Sequence, residues 1–386
     1  MQAPLSSADR LMRTIRWEQA DRVPILSPVP LNPIRWREAP PTEGWQAEPN
    51  FREVAELALQ HCDFFVRPSA PAGMFDRRFL LIPNEYIEVE SREQIGSRIV
   101  VTYRVRTPRG DLRTKEEHEP GVSTTWYTEP LLKDKHDVER LLSVPFEFHQ
   151  PDLSSFVAER QSVGDRGLME IGLSTPMICV SRLFEFGHFL EWCAAERPII
   201  ERLTETVARR LAMKLRYVLE SGLGPLYWFG GSEQATPPMM SPQFYDDFVV
   251  RYDAPLMELV HEYGQYVHVH CHGKVREALD KIVAMGADLL DPVEPPPDGD
   301  IELWEAKEQA RGKTVLIGNI EFRDLEFATP QQIDEKVHEA IERGGKQGLI
   351  LGLSATAIAP ISDRYRDNAL QYIESGLRYG ALNGGA

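Results

Sequence analysis

The stretch YVHVHCHGKVREALDKIVAMGADLLDPVE, residues 266–294, decides the fold class. It opens on a short apolar run with alternating histidines, passes through an amphipathic segment at 274–285 and ends on a second apolar run, ADLLD at 287–291. That order reads strand, helix, strand, and two strands joined by a helix lie parallel. The pattern recurs from about residue 165 onward. Further apolar runs stand at LMEIGL (168–173), PLYWFG (225–230), TVLIG (314–318) and GLILGL (348–353), with helical candidates at 198–221, 243–263, 303–311, 330–343 and 365–379. Such alternation predicts a parallel α/β sheet. No GxGxxG follows any of these strands, so a closed (β/α)8 TIM barrel is expected over an open dinucleotide-binding sheet.

Upstream the pattern is different. Residues 98–128 alternate apolar and polar around Pro108-Arg109-Gly110, which predicts a β-hairpin inserted before the main run of barrel strands. The Pro-rich run from Pro28 to Pro41 reads as an irregular loop after the apolar segment Val23 to Val29. A length of 386 residues suits one decorated barrel spanning 1–386 as a single domain, although two smaller domains would also fill it.

Hydrophobic content of 42% and charged content of 26% are those of an ordinary folded chain. A formal net charge of −16 argues against nucleic acid and anionic membrane surfaces as partners, since neither gives up counterions to an acidic protein. The four cysteines, Cys62, Cys179, Cys193 and Cys271, form no CxxC pair, which fits a reducing cytoplasm and argues against a disulfide scaffold. The N-terminal sequence has no apolar run of signal-peptide length, and no segment has about 18 uninterrupted apolar residues. A soluble cytoplasmic protein is expected.

Barrel enzymes place their chemistry at the C-terminal ends of the strands. Reading off those ends gives Glu233 in GGSEQATPP, the group His270, Cys271, His272 and Gly273, Asp291 and Glu294 in DPVEPPPDGD, Asn319, and Ser354. Strand alternation sets His268, His270 and His272 on one face and Val269 and Cys271 on the other. Neighbours in that row stand about 6.5–7 Å apart, close enough for two imidazoles to meet on one ion, whereas the outer pair is about 13 Å apart. One pair is therefore expected to bind a metal, with zinc favoured, and the third histidine to do something else. The plainer reading is that strand histidines merely satisfy hydrogen bonds in a core.

Glu233 and Glu294 are the expected carboxylate ligands or acid/base groups, Glu294 being held by the three prolines that follow it. Asp291 would serve equally as a loop cap, and Asn319 as either a catalytic or a turn residue. Tyr227, Trp228, Phe229, Met239 and Met240 would wall an apolar pocket, with Ser354 at its edge, or simply be core.

At these residues the chain resembles the uroporphyrinogen-decarboxylase-like superfamily. The resemblance starts at LMRTIRWEQADRVPIL (11–26), continues through TTWYTEPLLKDKHDVERL (124–141) and SPQFYDDFVVRYDAPLMELVHEYG (241–264), and ends in HCHGKVREALDKIVAMGADLLDPVE (270–294). It implies a barrel enzyme and includes a branch of cobalamin-linked methyltransferases. Their His-x-Cys-Gly is matched by His270 to Gly273, so His272 stands where that branch has a zinc-binding cysteine. Two departures narrow the implied chemistry. The decarboxylase carries an arginine-bearing motif after Arg-Val-Pro, and here Arg22-Val23-Pro24 leads into Ile25-Leu26-Ser27. No cysteine follows Cys271, and GLSATAIAP with Ser354 stands where a second zinc cysteine would be.

An imidazole and carboxylate shell made of His270, His272, Glu233 and Glu294 suits a hard oxygen better than a thiol. Within the resemblance this implies an O-demethylase component, which takes a methyl group from a methoxy compound, an aryl methyl ether above all, to a reduced corrinoid, free or on a partner protein. Glu233, Glu294 and Asn319 would be its catalytic groups. A decarboxylase or lyase acting on another carboxylated substrate is the alternative, and a catalytically silent binding barrel is a third.

Overall fold

Every apolar run read as a strand forms one in the computed structural model, which describes residues 4–68, 78–122 and 124–382. The expected β insertion is therefore described except at Ser123. The eleven strands are β1 (Phe65–Val66), β2 (Ile87–Ile95), β3 (Arg98–Val105), β4 (Leu112–His118), β5 (Thr125–Glu129), β6 (Leu168–Ser174), β7 (Leu226–Gly230), β8 (Tyr266–His270), β9 (Leu289–Asp291), β10 (Val315–Ile320) and β11 (Leu349–Leu353).

Seven of them make one curled parallel sheet in the order β1-β6-β7-β8-β9-β10-β11. Its ladder does not run all the way round. The gap between β11 and β1 is spanned by the segment at Ile25 and Leu26, which bridges in parallel to Leu351 on one side and to Asp63 on the other. The expected barrel is thus a TIM-barrel-like fold whose first strand is held by isolated bridges. Asp63, fully buried at this seam, accepts from Arg10 Nη1 at 2.7 Å, Arg22 Nη1 at 2.8 Å and the Ile25 amide at 3.0 Å.

The alternation of each strand separates two environments. Leu168, Leu226, Leu289, Val315, Ile317 and Ile350 point into the barrel and pack on Leu11 and Ile15 of the helix Ser7–Ile15, which plugs the end where the strands begin. Their neighbours, among them Tyr227, Phe229, Val267, Val269, Leu290 and Leu316, join the larger core between sheet and helices. Each side chain thus follows its strand parity.

The insertion is larger than the expected hairpin. β3 and β4 pair antiparallel about the turn, Val105 opposite Leu112, but β2 and β5 flank them to make a four-stranded antiparallel sheet from Ile87 to Glu129. β2 reads as polar because most of it faces solvent, so it lacks the apolar alternation that marks a strand. The Pro-rich run is not wholly irregular either: Asn32 caps a short helix, Pro33–Glu38, whose leading proline supplies the φ that a first helical turn needs.

Candidate active site

Because the seven strands are parallel and in register, their C-terminal ends fall on one rim. His270 is the last residue of β8 and Asp291 the last of β9, and the two are paired in the ladder. The site is built on that pair.

His270 turns Nδ1 to Asp291 Oδ1 at 2.9 Å, and His268, one layer deeper, places Nε2 2.8 Å from the same oxygen. His268 Nδ1 in turn meets Glu170 Oε1 at 2.6 Å, and Glu170 Oε2 takes Arg67 Nε at 2.6 Å. A continuous run of polar contacts, Arg67 to Glu170 to His268 to Asp291 to His270, thus crosses the barrel interior. Burial disfavours the charged form of His268, but Asp291 and Glu170 outweigh it and push its pKa up to about 9. Burial also works against ionised Asp291, and His270 with His268 outweighs that too, holding it well below the usual carboxylate range. The cluster is therefore internally neutralised.

His272 lies past the strand end, on the loop that Gly273 turns with a φ of 80°, in the left-handed region. Its ring stands edge-on to His270, centroids 4.6 Å apart. Its Nδ1 meets Glu294 Oε1 at 3.0 Å, while Glu294 Oε2 accepts the Gly273 amide. Burial raises the Glu294 pKa, but the His272 contact and the Gly273 amide win and lower it. The loop after Glu294 folds tightly back on it: a Cβ on Gly299 would fall 1.8 Å from the Glu294 carbonyl oxygen.

The predicted site residues separate accordingly. His270, His272, Asp291 and Glu294 come together. The two Glu294 oxygens meet His272 and the Gly273 amide, so Glu294 orients His272 from behind. Glu233 heads the short turn Glu233–Ala235 after β7, with Oε2 buried and unpartnered. Trp228 stacks on His270 with centroids 4.9 Å apart. Tyr227, one residue away, points outward and is fully buried among the helices, so it cannot wall a pocket inside the barrel; Phe229 does the same. Met239 is half exposed on the loop beyond. Asn319 lies within β10 opposite Gly352 and lines a small cavity with Pro295, Trp304 and Lys336. Cys271 is buried, and burial pushes its thiol up to about 12, so it is no thiolate.

Ser354 has a partner that the sequence reading missed. Its hydroxyl donates to Glu321 Oε2 at 2.9 Å and accepts the Phe322 amide at 3.0 Å. Burial, with Glu294 as a like charge, overcomes the Ser354 hydrogen bond and raises Glu321 to about 7. Glu170 and Arg67 were missed as well. Glu170 left a signal, a lone carboxylate inside the apolar run LMEIGL, where only a partner makes burial tolerable.

The donors fit a divalent ion in kind. With Nδ1 turned to a carboxylate, each of His270 and His272 leaves Nε2 as the nitrogen that could meet an ion, the arrangement that metal-ligating histidines adopt. Among the described residues no three His, Cys, Asp or Glu side chains yet converge on a common point.

Among solved structures, a methyltransferase from Methanosarcina mazei aligns with a TM-score of 0.60 over 97% of this chain and 99% of that one, at 15% identity. At that identity the likeness bears on the fold alone. No curated protein sequence matches the chain. The uroporphyrinogen decarboxylase (URO-D) family model matches residues 128–362, which takes in strands β6 to β11, both histidine-bearing layers and the loops that carry Glu233, Glu294 and Ser354. With more than half of its length matched, the chain belongs to the uroporphyrinogen decarboxylase family.

Proposed function

We propose that the protein is a methyltransferase of this family that takes a methyl group from a methoxy compound, an aryl methyl ether above all, to a reduced corrinoid acting as exchangeable acceptor. The observation that carries the reading is the pair His270 and His272, each with Nδ1 on a carboxylate, so that Nε2 is the nitrogen left for an ion. His270 and His272 would hold zinc, with Glu233 as third ligand through its unpartnered buried Oε2 and Glu294 behind His272. Such an ion supplies Lewis acidity toward a hard oxygen. The chain's own residues fix the rest. Asp291 and Glu294 set the tautomer and angle of the two imidazoles, and Trp228 offers an aromatic face beside His270. Glu321, protonated for about half the time near neutrality, can give a proton to an oxygen leaving as phenolate. The buried cysteine beside these groups is too high in pKa to accept a methyl group, which favours an acceptor from outside the chain.

The test is anaerobic incubation with methoxyarenes and reduced corrinoid, followed by absorbance of the methylated corrinoid. The reading expects formation dependent on the corrinoid and on His270 and His272. Carbon dioxide release from a carboxylated substrate, with no corrinoid dependence, would establish the decarboxylase alternative instead.

A further inference from the structure

We propose that Arg67 is the anchor for a carboxylate on the substrate, so that the molecule entering this site is an anionic arene. Arg67 follows directly on β1 at the same rim as His270. Its Nε is committed to Glu170, a carboxylate with no exposure, and its guanidinium lies 4.0 Å over the Trp228 ring. Trp228 in turn lies against His270, the rings tilted by 37° with centroids 4.9 Å apart. Arginine, indole and imidazole thus follow one another in contact and end at the proposed reacting position.

Held from below and from one edge, the guanidinium keeps its end-on fork, Nη1 and Nη2, without a partner among the described residues, and its side chain is 47% exposed. Trp228 Nε1 in the same stack is buried and also without an acceptor. The guanidinium fork and the indole N–H are therefore donors in search of an acceptor, and a planar two-oxygen anion is the complement of an end-on guanidinium fork. Fixing the cation in advance costs it little freedom on binding. The backbone leaves space as well: a Cβ on Gly172 would contact both Arg67 at 3.9 Å and Trp228 at 3.7 Å, so at this position of β6 no side chain fills the ground beside the stack.

The assignment rests on the methyltransferase reading for the methoxy end of the substrate and not for the carboxylate end. The experiment is equilibrium binding, by calorimetry and by quenching of tryptophan fluorescence, of 4-methoxybenzoate and the neutral 4-methoxybenzamide. Wild-type protein should bind the acid about tenfold tighter or more, the margin of a charge-assisted pair over a neutral hydrogen bond. Arg67→Gln should weaken the acid until it matches the amide, leaving amide binding in place as proof of folding, and Arg67→Lys should recover part of the preference.

Equal binding of acid and amide by wild-type protein, no binding of the acid at millimolar concentration, or a preference that survives Arg67→Gln would each overturn the anchor. If Arg67→Gln does not fold, the wild-type comparison and Arg67→Lys decide. Arg67-dependent binding of the acid without methyl transfer to a corrinoid would sink the methyltransferase reading and leave the anchor standing. Transfer from uncharged methoxyarenes as fast as from the acid would do the reverse.

Discussion

At the residue scale the histidine row divides its labour by depth. His268 is locked between two carboxylates, whereas His270 and His272 each spend one nitrogen on a carboxylate and keep the other. Two outcomes follow. Glu294→Gln removes the charge behind His272 without removing an acceptor, so zinc affinity should fall by about 10- to 100-fold. Competition with a chromophoric chelator reads this, and unchanged retention would show that Glu294 does not act through His272.

His268 has a folded-state pKa raised to about 9, above its ordinary 6.5. A group raised in this way stabilises the fold fully below its unfolded pKa and loses that stability as pH climbs through the folded value. Wild-type protein should therefore lose on the order of 2 kcal/mol between pH 7 and 10 that His268→Gln does not lose. Denaturant melts of both proteins at the two pH values check it. A parallel decline in both would remove the imidazolium from the stability of the barrel. Of this run the histidines and Asp291 were read as candidates and Glu170 left a lone signal, but the pairing was not legible, because Arg67 pairs across 103 residues and His268 across 98, and no local pattern encodes contacts so distant.

At the element scale, strands with a full apolar stripe announced themselves and the others did not. β6 to β11 were readable because each carries two to four apolar residues in a row or in alternation and stands between helical segments. β1 has two residues and Ile25 only bridges, so neither fills a window in which periodicity is measurable. Parity within a strand was legible and was overlooked at Tyr227, since the neighbour of an inward Trp228 must face outward.

The rim also depends on a glycine. A Cβ on Gly230 would lie 2.2 Å from the Trp228 ring, so the indole lies flat over the backbone only because no side chain is there. Gly230→Ala should push the indole off His270 and from under Arg67, lowering turnover and shifting tryptophan emission while costing about 1–3 kcal/mol in stability. Wild-type emission and activity in this variant would show that the stack is dispensable.

At the scale of the whole molecule, closure of the sheet is concentrated at one seam. Two bridges and one buried carboxylate, Asp63, hold the first strand between β11 and β1. Asp63→Asn would leave Arg10 and Arg22 facing a neutral partner in a buried place, where loss of one member of an ion pair costs about 3–5 kcal/mol. Equilibrium unfolding should show that loss, with the midpoint shifted and the slope unchanged if the sheet opens only on global unfolding. A cost below 1 kcal/mol would mean that the bridges alone hold the seam. The barrel itself was legible from the alternation of runs and helices, while its incomplete ladder was not, since closure depends on a few backbone groups and not on any stripe of side chains.

The plug made by Leu11 and Ile15 has a consequence for traffic. With one end packed by hydrocarbon, the histidines stand toward the opposite rim, where the strands end. On the proposed reading, a spent substrate and a large acceptor would meet at that same rim. Turnover would then be a matter of taking turns.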